Sequence, residues 1–328
     1  MASRRCSLVI AAAIAMLSAP ASAIEQPAQL RTATGTLHGT LDLPAGTAPC
    51  PVVVIIAGSG PTDRDGNQPL FRNDSLKLLG RALAAKGIAA LRYDKRGIGE
   101  SAAAGPAEKE LRFEVYVGDA VQWLAWLRGN DRFLRVGLVG HSEGSLIGML
   151  AAKQARVDAF VSVAGSSRTA SALIRDQLNA RLAPDLQKRS DQILDELVAG
   201  RTAPDVPTDL AVLYRPSVQP YLISWFKYDP LREIAALAMP VLIVQGTTDL
   251  QISVDDARRL AAAKQGSTLR LIDGMNHVLK HAMSPPEQQA AYTDASLPID
   301  AEAVEAIAAF LSARPGPPSQ KPASAPRP

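Results

Sequence analysis

The chain is poor in the residues that would place it in several common protein classes. Its 328 residues include two cysteines, Cys6 and Cys50, four histidines, and only 5% aromatic side chains. Two cysteines are too few for a disulfide framework, and Cys50, set between two prolines before an apolar run, reads as a partly buried structural thiol. No apolar run is long enough to span a bilayer as a helix, which takes about 18 residues or more. Nor is there an excess of one charge. Arg4, Arg5, Lys321 and Arg327 lie near the two ends and account for four of the 35 basic residues, leaving 31 against 32 Asp and Glu. A central region so nearly neutral gives no electrostatic footprint for nucleic acid. What is present is an aliphatic composition, 47% hydrophobic, with ample length for a large packed core.

The ends differ from the middle. Arg4 and Arg5, the apolar stretch Leu8–Leu17 and the small-residue box Ala21-Ser22-Ala23 have the layout of a signal peptide over 1–23. The chain is therefore expected to be exported, to the periplasm or beyond, with no stable membrane insertion once the leader is removed. Residues 24–34 are expected to be a short linker, 35–313 one domain, and the Pro-rich 314–328 a disordered tail.

Within the domain, Gly35–Leu43 alternates enough for an antiparallel strand. Continuous apolar strands are expected at Val52–Ala57, Ile88–Tyr93, Arg135–Val139, Ala159–Val163, Val241–Gln245 and Thr268–Ile272. Amphipathic helices fall between them, near 73–86, 113–128, 143–155, 254–264 and 301–313. That alternation predicts an α/β fold, a mostly parallel central sheet flanked by helices. The long interval of about 165–235 has helical spacing and no strand, and is expected to be a helical lid over the C-terminal edge of the sheet.

One corner concentrates the chemistry. "RVGLV" runs directly into "GHSEG" at 140–144, and "SLIGMLAAKQA" continues as a helix. A G-x-S-x-G motif between a strand and a helix holds its serine on a strained turn with Oγ exposed above the sheet. Ser142 is thus a candidate nucleophile, and it needs a base oriented by a carboxylate. His277, in a glycine-containing loop after the last expected strand, is the candidate base. His141 is read as packing or bonding the backbone. Asp249, in the loop after Val241–Gln245, is the candidate carboxylate, whereas Asp255 and Asp256 read as helix N-terminal charges and Asp273 as serving a turn. His277 and His281 are four apart, but no Glu follows the first and no third ligand is evident, so a metal site is not expected. The backbone N–H groups of Ser59, with Gly60 second, and of Glu143 are candidates for an oxyanion hole. Asp63, Arg64 and Asp65 read as charges pinning their loop.

These segments, "GSGPTDRDG" at 58–66, "RYDKRGIGES" at 92–101, "GHSEG" at 140–144, "QGTTD" at 245–249 and "GMNH" at 274–277, together resemble the α/β-hydrolase superfamily. The similarity is to its bacterial exported serine esterases and to the serine-aminopeptidase-like branch, over about 35–312. The resemblance implies a cofactor-free acyl transfer on Ser142 and assigns no catalytic role to Asp94 or Arg96. One departure is Ala57-Gly58, where many relatives have His-Gly. The substrate expected is a small carboxylic ester of short to medium acyl chain. Tyr221, Trp225 and Phe226 are candidates for lining its pocket, or else for the lid's own core. A serine aminopeptidase is the alternative, with Glu143 as the one candidate anchor for an amino terminus beside the nucleophile. A non-catalytic ligand-binding protein of the same fold is a third reading. Oligomeric state is not legible.

Overall fold

Residues 23–179 and 181–313 are described by the structure, a computed structural model. The expected leader and tail therefore lie outside the described residues, apart from Ala23. Eight strands form one sheet in the order β1-β2-β4-β3-β5-β6-β7-β8. They are β1 (Ile24–Thr32), β2 (Gly35–Leu43), β3 (Cys50–Ile56), β4 (Ala89–Tyr93), β5 (Phe133–His141), β6 (Phe160–Val163), β7 (Val241–Gly246) and β8 (Thr268–Ile272). From β4 through β8 every pairing is parallel, whereas β1 and β2 join antiparallel at one edge.

Strand β3, at the centre of the sheet, is apolar throughout because both of its faces are covered. Val52, Val54 and Ile56 of β3 face one layer, packed with Trp123, Leu124 and Leu127 of α2 (Phe113–Arg128) and with α3 (Glu143–Gln154). Val53 and Ile55, one residue out of phase, face Leu76, Leu79 and Leu83 of α1 (Ser75–Ala85) and a C-terminal helix over Ala301–Ser312. This period of two follows from the pleat.

The expected linker at 24–34 is corrected. Residues 24–32 are β1, paired with β2 along its whole length from Ile24↔Leu43 to Thr32↔Gly35. Only Ala28 of its nine residues is buried. It is held by ladder hydrogen bonds rather than by an apolar face, and Pro27 is tolerated because the strand is an edge.

Between β6 and β7 the chain forms α4 (Ala170–Asn179), α5 (Pro184–Val198), α6 (Ala211–Tyr214), α7 (Gln219–Trp225) and α8 (Pro230–Ala235). Helices α4 to α7 share a small core of their own, centred on Ile193, Leu194, Leu197, Tyr214 and Leu222. The Tyr214 hydroxyl, which would otherwise be stranded there, bonds Ser190 Oγ at 2.9 Å. This unit joins the main body through Phe113, whose N–H donates to Ser224 Oγ at 2.7 Å and whose ring stacks on Trp225 at 5.8 Å. After β7 come α9 (Val254–Ala263), β8, α10 (Pro285–Thr293) and α11 (Ala301–Ser312). No described helix is long and apolar enough to cross a membrane.

Candidate active site

Strand β5 ends at His141 and α3 begins at Glu143, so Ser142 is the single residue of the corner. Its backbone sits at φ 56°, ψ −121°, a region that favours glycine and costs other residues about 1–3 kcal/mol. The flanking glycines are required by contact. A Cβ on Gly140 would overlap the carbonyl oxygen of Gly144, and a Cβ on Gly144 would overlap that of Ile56. The corner thus fits only with hydrogen at both positions.

Asp249 and His277 are brought together by the adjacent C-terminal ends of β7 and β8. His277 Nδ1 lies 2.9 Å from Asp249 Oδ2, and the Asp249 side chain has no exposed surface. Every acceptor direction of the carboxylate is used. Oδ1 accepts the N–H groups of Gln251 and Ile252 at 2.8 and 3.0 Å, and Oδ2 also accepts Gln245 Nε2 at 3.1 Å. Burial alone would raise the Asp249 pKa, but attraction to the His277 ring when it is protonated and these hydrogen bonds outweigh it and hold the value below the usual carboxylate range. An ionised carboxylate only accepts, so the proton is on Nδ1 and the Nε2 lone pair of His277 is left basic.

The ring of His141 packs against that of His277. Its Nε2–H donates to the carbonyl of His277 at 2.8 Å, with ring centroids 4.9 Å apart. Burial, then repulsion from His277, lowers its pKa to about 4, so it is neutral at ordinary pH. His281, four residues after His277, diverges, with its ring against Gly274.

Ser142 and His277 both face a cavity of about 510 Å³, which also meets Phe71 and Tyr292. Among the described residues no direct hydrogen bond joins the two side chains. Ser142 also opens on a second cavity of about 630 Å³, lined mainly by apolar side chains of the inserted helices, among them Leu173, Ile174, Leu178 and Leu222. The nucleophile candidate therefore stands between two chambers.

Ser59 and Glu143 both border the larger cavity beside Ser142. Among the described residues neither backbone N–H has a protein acceptor. Tyr221 and Trp225 line this cavity, but Phe226 does not, which corrects one expectation. It packs into the core of the inserted helices with Leu194 and Tyr214. Successive helical residues point about 100° apart, so the step from Trp225 to Phe226 turns the ring away from the cavity.

The charged loops serve the frame. Asp94 Oδ1 accepts the Arg64 N–H at 2.8 Å, and its Oδ2 accepts Arg64 Nη2 at 2.8 Å and the Glu100 N–H at 2.9 Å. Arg96 pairs with buried Asp119. Asp256 closes a capping box with Ser253 at the start of α9, and Asp273 accepts from Thr247 Oγ1 at 3.0 Å. One group was missed by reading the sequence: Lys95, 1% exposed, whose Nζ donates to the Gly58 carbonyl at 2.6 Å and lies 3.4 Å from Glu143 Oε2. A lysine beside an arginine carries no local signal of burial.

A family model described as the alpha/beta hydrolase family matches residues 53–295, well over half of the chain. The chain belongs to the alpha/beta hydrolase family. It is similar to the esterase EstD of Thermotoga maritima, 27% identical over 246 residues, which cover 74% of this chain and 58% of EstD. The chain thus spans less than two thirds of that relative's length. Among solved structures, Est1E from Butyrivibrio proteoclasticus aligns with a TM-score of 0.57 at 18% identity, covering 87% of this chain and 98% of Est1E. A hydrolase from Pseudomonas aeruginosa PA01 aligns with a TM-score of 0.54 at 20% identity, covering 88% and 98%. At such identities the structural likeness speaks for the fold alone.

Proposed function

We propose that this chain is a serine hydrolase that cleaves carboxylic esters of short to medium acyl chain. The observation that carries the reading is the buried Asp249–His277 bond facing the cavity onto which the strained Ser142 corner opens. Ser142 Oγ adds to the ester carbonyl while His277 Nε2 takes its proton. Asp249, still ionised, stabilises the imidazolium so formed. The carbonyl oxygen, now negative, is held by the N–H groups of Ser59 and Glu143. The C–O bond breaks as His277 returns the proton to the departing alkoxide, leaving an acyl group on Ser142. Water, deprotonated by the same histidine, then releases the acid and restores the serine. The larger chamber takes the acyl group because its walls, although they include Arg168, Arg181 and Arg215, are mainly apolar and carry Tyr221 and Trp225. The smaller chamber takes the alcohol. Helices α4 to α7 act as the lid over this divided site.

The name of EstD supports ester chemistry. Aminopeptidase activity is disfavoured by Glu143. Its carboxylate is buried, faces Lys95 and accepts a hydrogen bond from the Tyr221 hydroxyl, so its charge is already matched. Export belongs to the same proposal, and amino-terminal sequencing of protein from the periplasm or medium, expected to begin at Ile24, checks it.

The test is hydrolysis of p-nitrophenyl acyl esters and aminoacyl p-nitroanilides by wild type and Ser142→Ala. Ester turnover that falls at least about 10³-fold in the variant is expected, from the usual cost of losing the nucleophile. Anilide turnover alone would move the assignment to a peptidase. Folded wild type silent on both sets would leave a binding protein of this fold.

A further inference from the structure

Ser59 is held from both sides. Its own carbonyl accepts Thr62 Oγ1 at 2.7 Å, and Thr62 is held in turn by Gln68 Nε2 at 2.8 Å. The carbonyl of the preceding residue, Gly58, accepts Lys95 Nζ at 2.6 Å. Gly58 C=O and Ser59 N–H belong to one planar trans peptide, in which the two groups point in opposite directions. An ammonium that fixes the carbonyl on the buried side therefore fixes the N–H on the other. A charged donor on the carbonyl also polarises the peptide and strengthens its N–H as a donor.

Lys95 reaches the second candidate donor as well. Its Nζ lies 3.4 Å from Glu143 Oε2, and the backbone N–H of Glu143 opens α3 beside Ser142. The other Glu143 oxygen accepts the Tyr221 hydroxyl, and the Tyr116 ring covers the ammonium at 5.0 Å. Lys95 and the Glu143 side chain are both almost fully buried. Burying a lone ammonium is costly, so this one needs the partners it has. It sits where the β3–α1 loop, the corner of β5 and α3, and α7 of the inserted unit meet.

We infer that Lys95 is a positioning residue for the oxyanion hole, aiming the Gly58–Ser59 peptide at the tetrahedral intermediate and tying it through Glu143 to the second donor. The inference rests on the serine-hydrolase reading and deepens it. Lys95 touches neither substrate nor the reacting atoms. Its loss should therefore weaken stabilisation of the oxyanion while leaving binding of the neutral ester unchanged.

The experiment compares wild type with Lys95→Met, which keeps the stem and loses the ammonium, and with Lys95→Gln. Gln is one atom shorter and stays polar, giving a folded alternative should the methionine variant not fold. Turnover of the best p-nitrophenyl ester is measured beside inhibition by an alkyl trifluoromethyl ketone, which adds to Ser142 as a tetrahedral oxyanion. The matching methyl ketone is the ground-state control. A fall in kcat of about 10- to 100-fold is expected, less than for outright removal of a donor, with KM within about threefold. Affinity for the trifluoromethyl ketone should fall in step with kcat, and that for the methyl ketone should not change. Unchanged kcat and trifluoromethyl ketone affinity would overturn the role of Lys95. So would parallel losses of both ketones and a raised KM, which mark a general structural fault. Wild type that hydrolyses no ester and binds no trifluoromethyl ketone would overturn the serine-hydrolase reading and the inference with it.

Discussion

The buried His141 makes the stability of this protein depend on pH in a calculable way. In the folded chain burial and the neighbouring His277 lower its pKa to about 4 from an ordinary value of 6.5. The unfolded chain therefore takes up a proton first as pH falls. Stability from this group is complete above about pH 7 and is lost as pH falls from 6.5 towards 4. At pH 5 the unfolded histidine is almost fully protonated and the folded one hardly at all, which costs about 2 kcal/mol; below pH 4 the loss approaches about 3.4 kcal/mol. Other groups titrate over the same range, so the comparison needs His141→Gln, which keeps an N–H for the His277 carbonyl but cannot titrate. Urea unfolding followed by tryptophan fluorescence at pH 8 and pH 5 reads the difference. Wild type should lose about 2 kcal/mol more than His141→Gln on going to pH 5. Equal losses in the two proteins would refute the reasoning, because the ring would then be either solvated or already charged in the folded chain.

Two further outcomes follow from the corner and the larger chamber. Ser142→Gly relieves the backbone cost at φ 56° and should stabilise the fold by about 1 kcal/mol, raising Tm by about 2–4 °C, while abolishing ester turnover. A lower Tm would mean that the corner is unstrained. Ile174→Trp fills part of the chamber on the α4 side. It should cut kcat/KM for an octanoyl ester at least about tenfold and leave that for an acetyl ester within about threefold. A parallel loss on both esters would place the acyl group elsewhere.

Much of the fold was legible because its signals are local. Apolar strands such as Val241–Gly246 are bounded by prolines and turn residues, and the helix over Glu143–Gln154 starts at its glycine-flanked corner. Strand β1 was not legible, since an exposed edge strand has no apolar face to repeat. Which of its two readings holds for Phe226 was not legible, because its direction depends on helical phase relative to a cavity that no local pattern contains.

The sequence by itself determined the order of the candidate groups along the chain: a serine with a glycine two residues to either side, then Asp249 and His277 after successive strands. Residue type and local backbone are enough for that. Only the tertiary structure decided which groups meet. Lys95 bonds a carbonyl 37 positions away and faces a carboxylate 48 positions away. His141 holds the backbone of a histidine 136 positions on. Such contacts arise because parallel strands distant in sequence end side by side at one edge of the sheet, and a lysine or histidine read alone gives no sign of whether its neighbours in space are water, charge or a buried carbonyl.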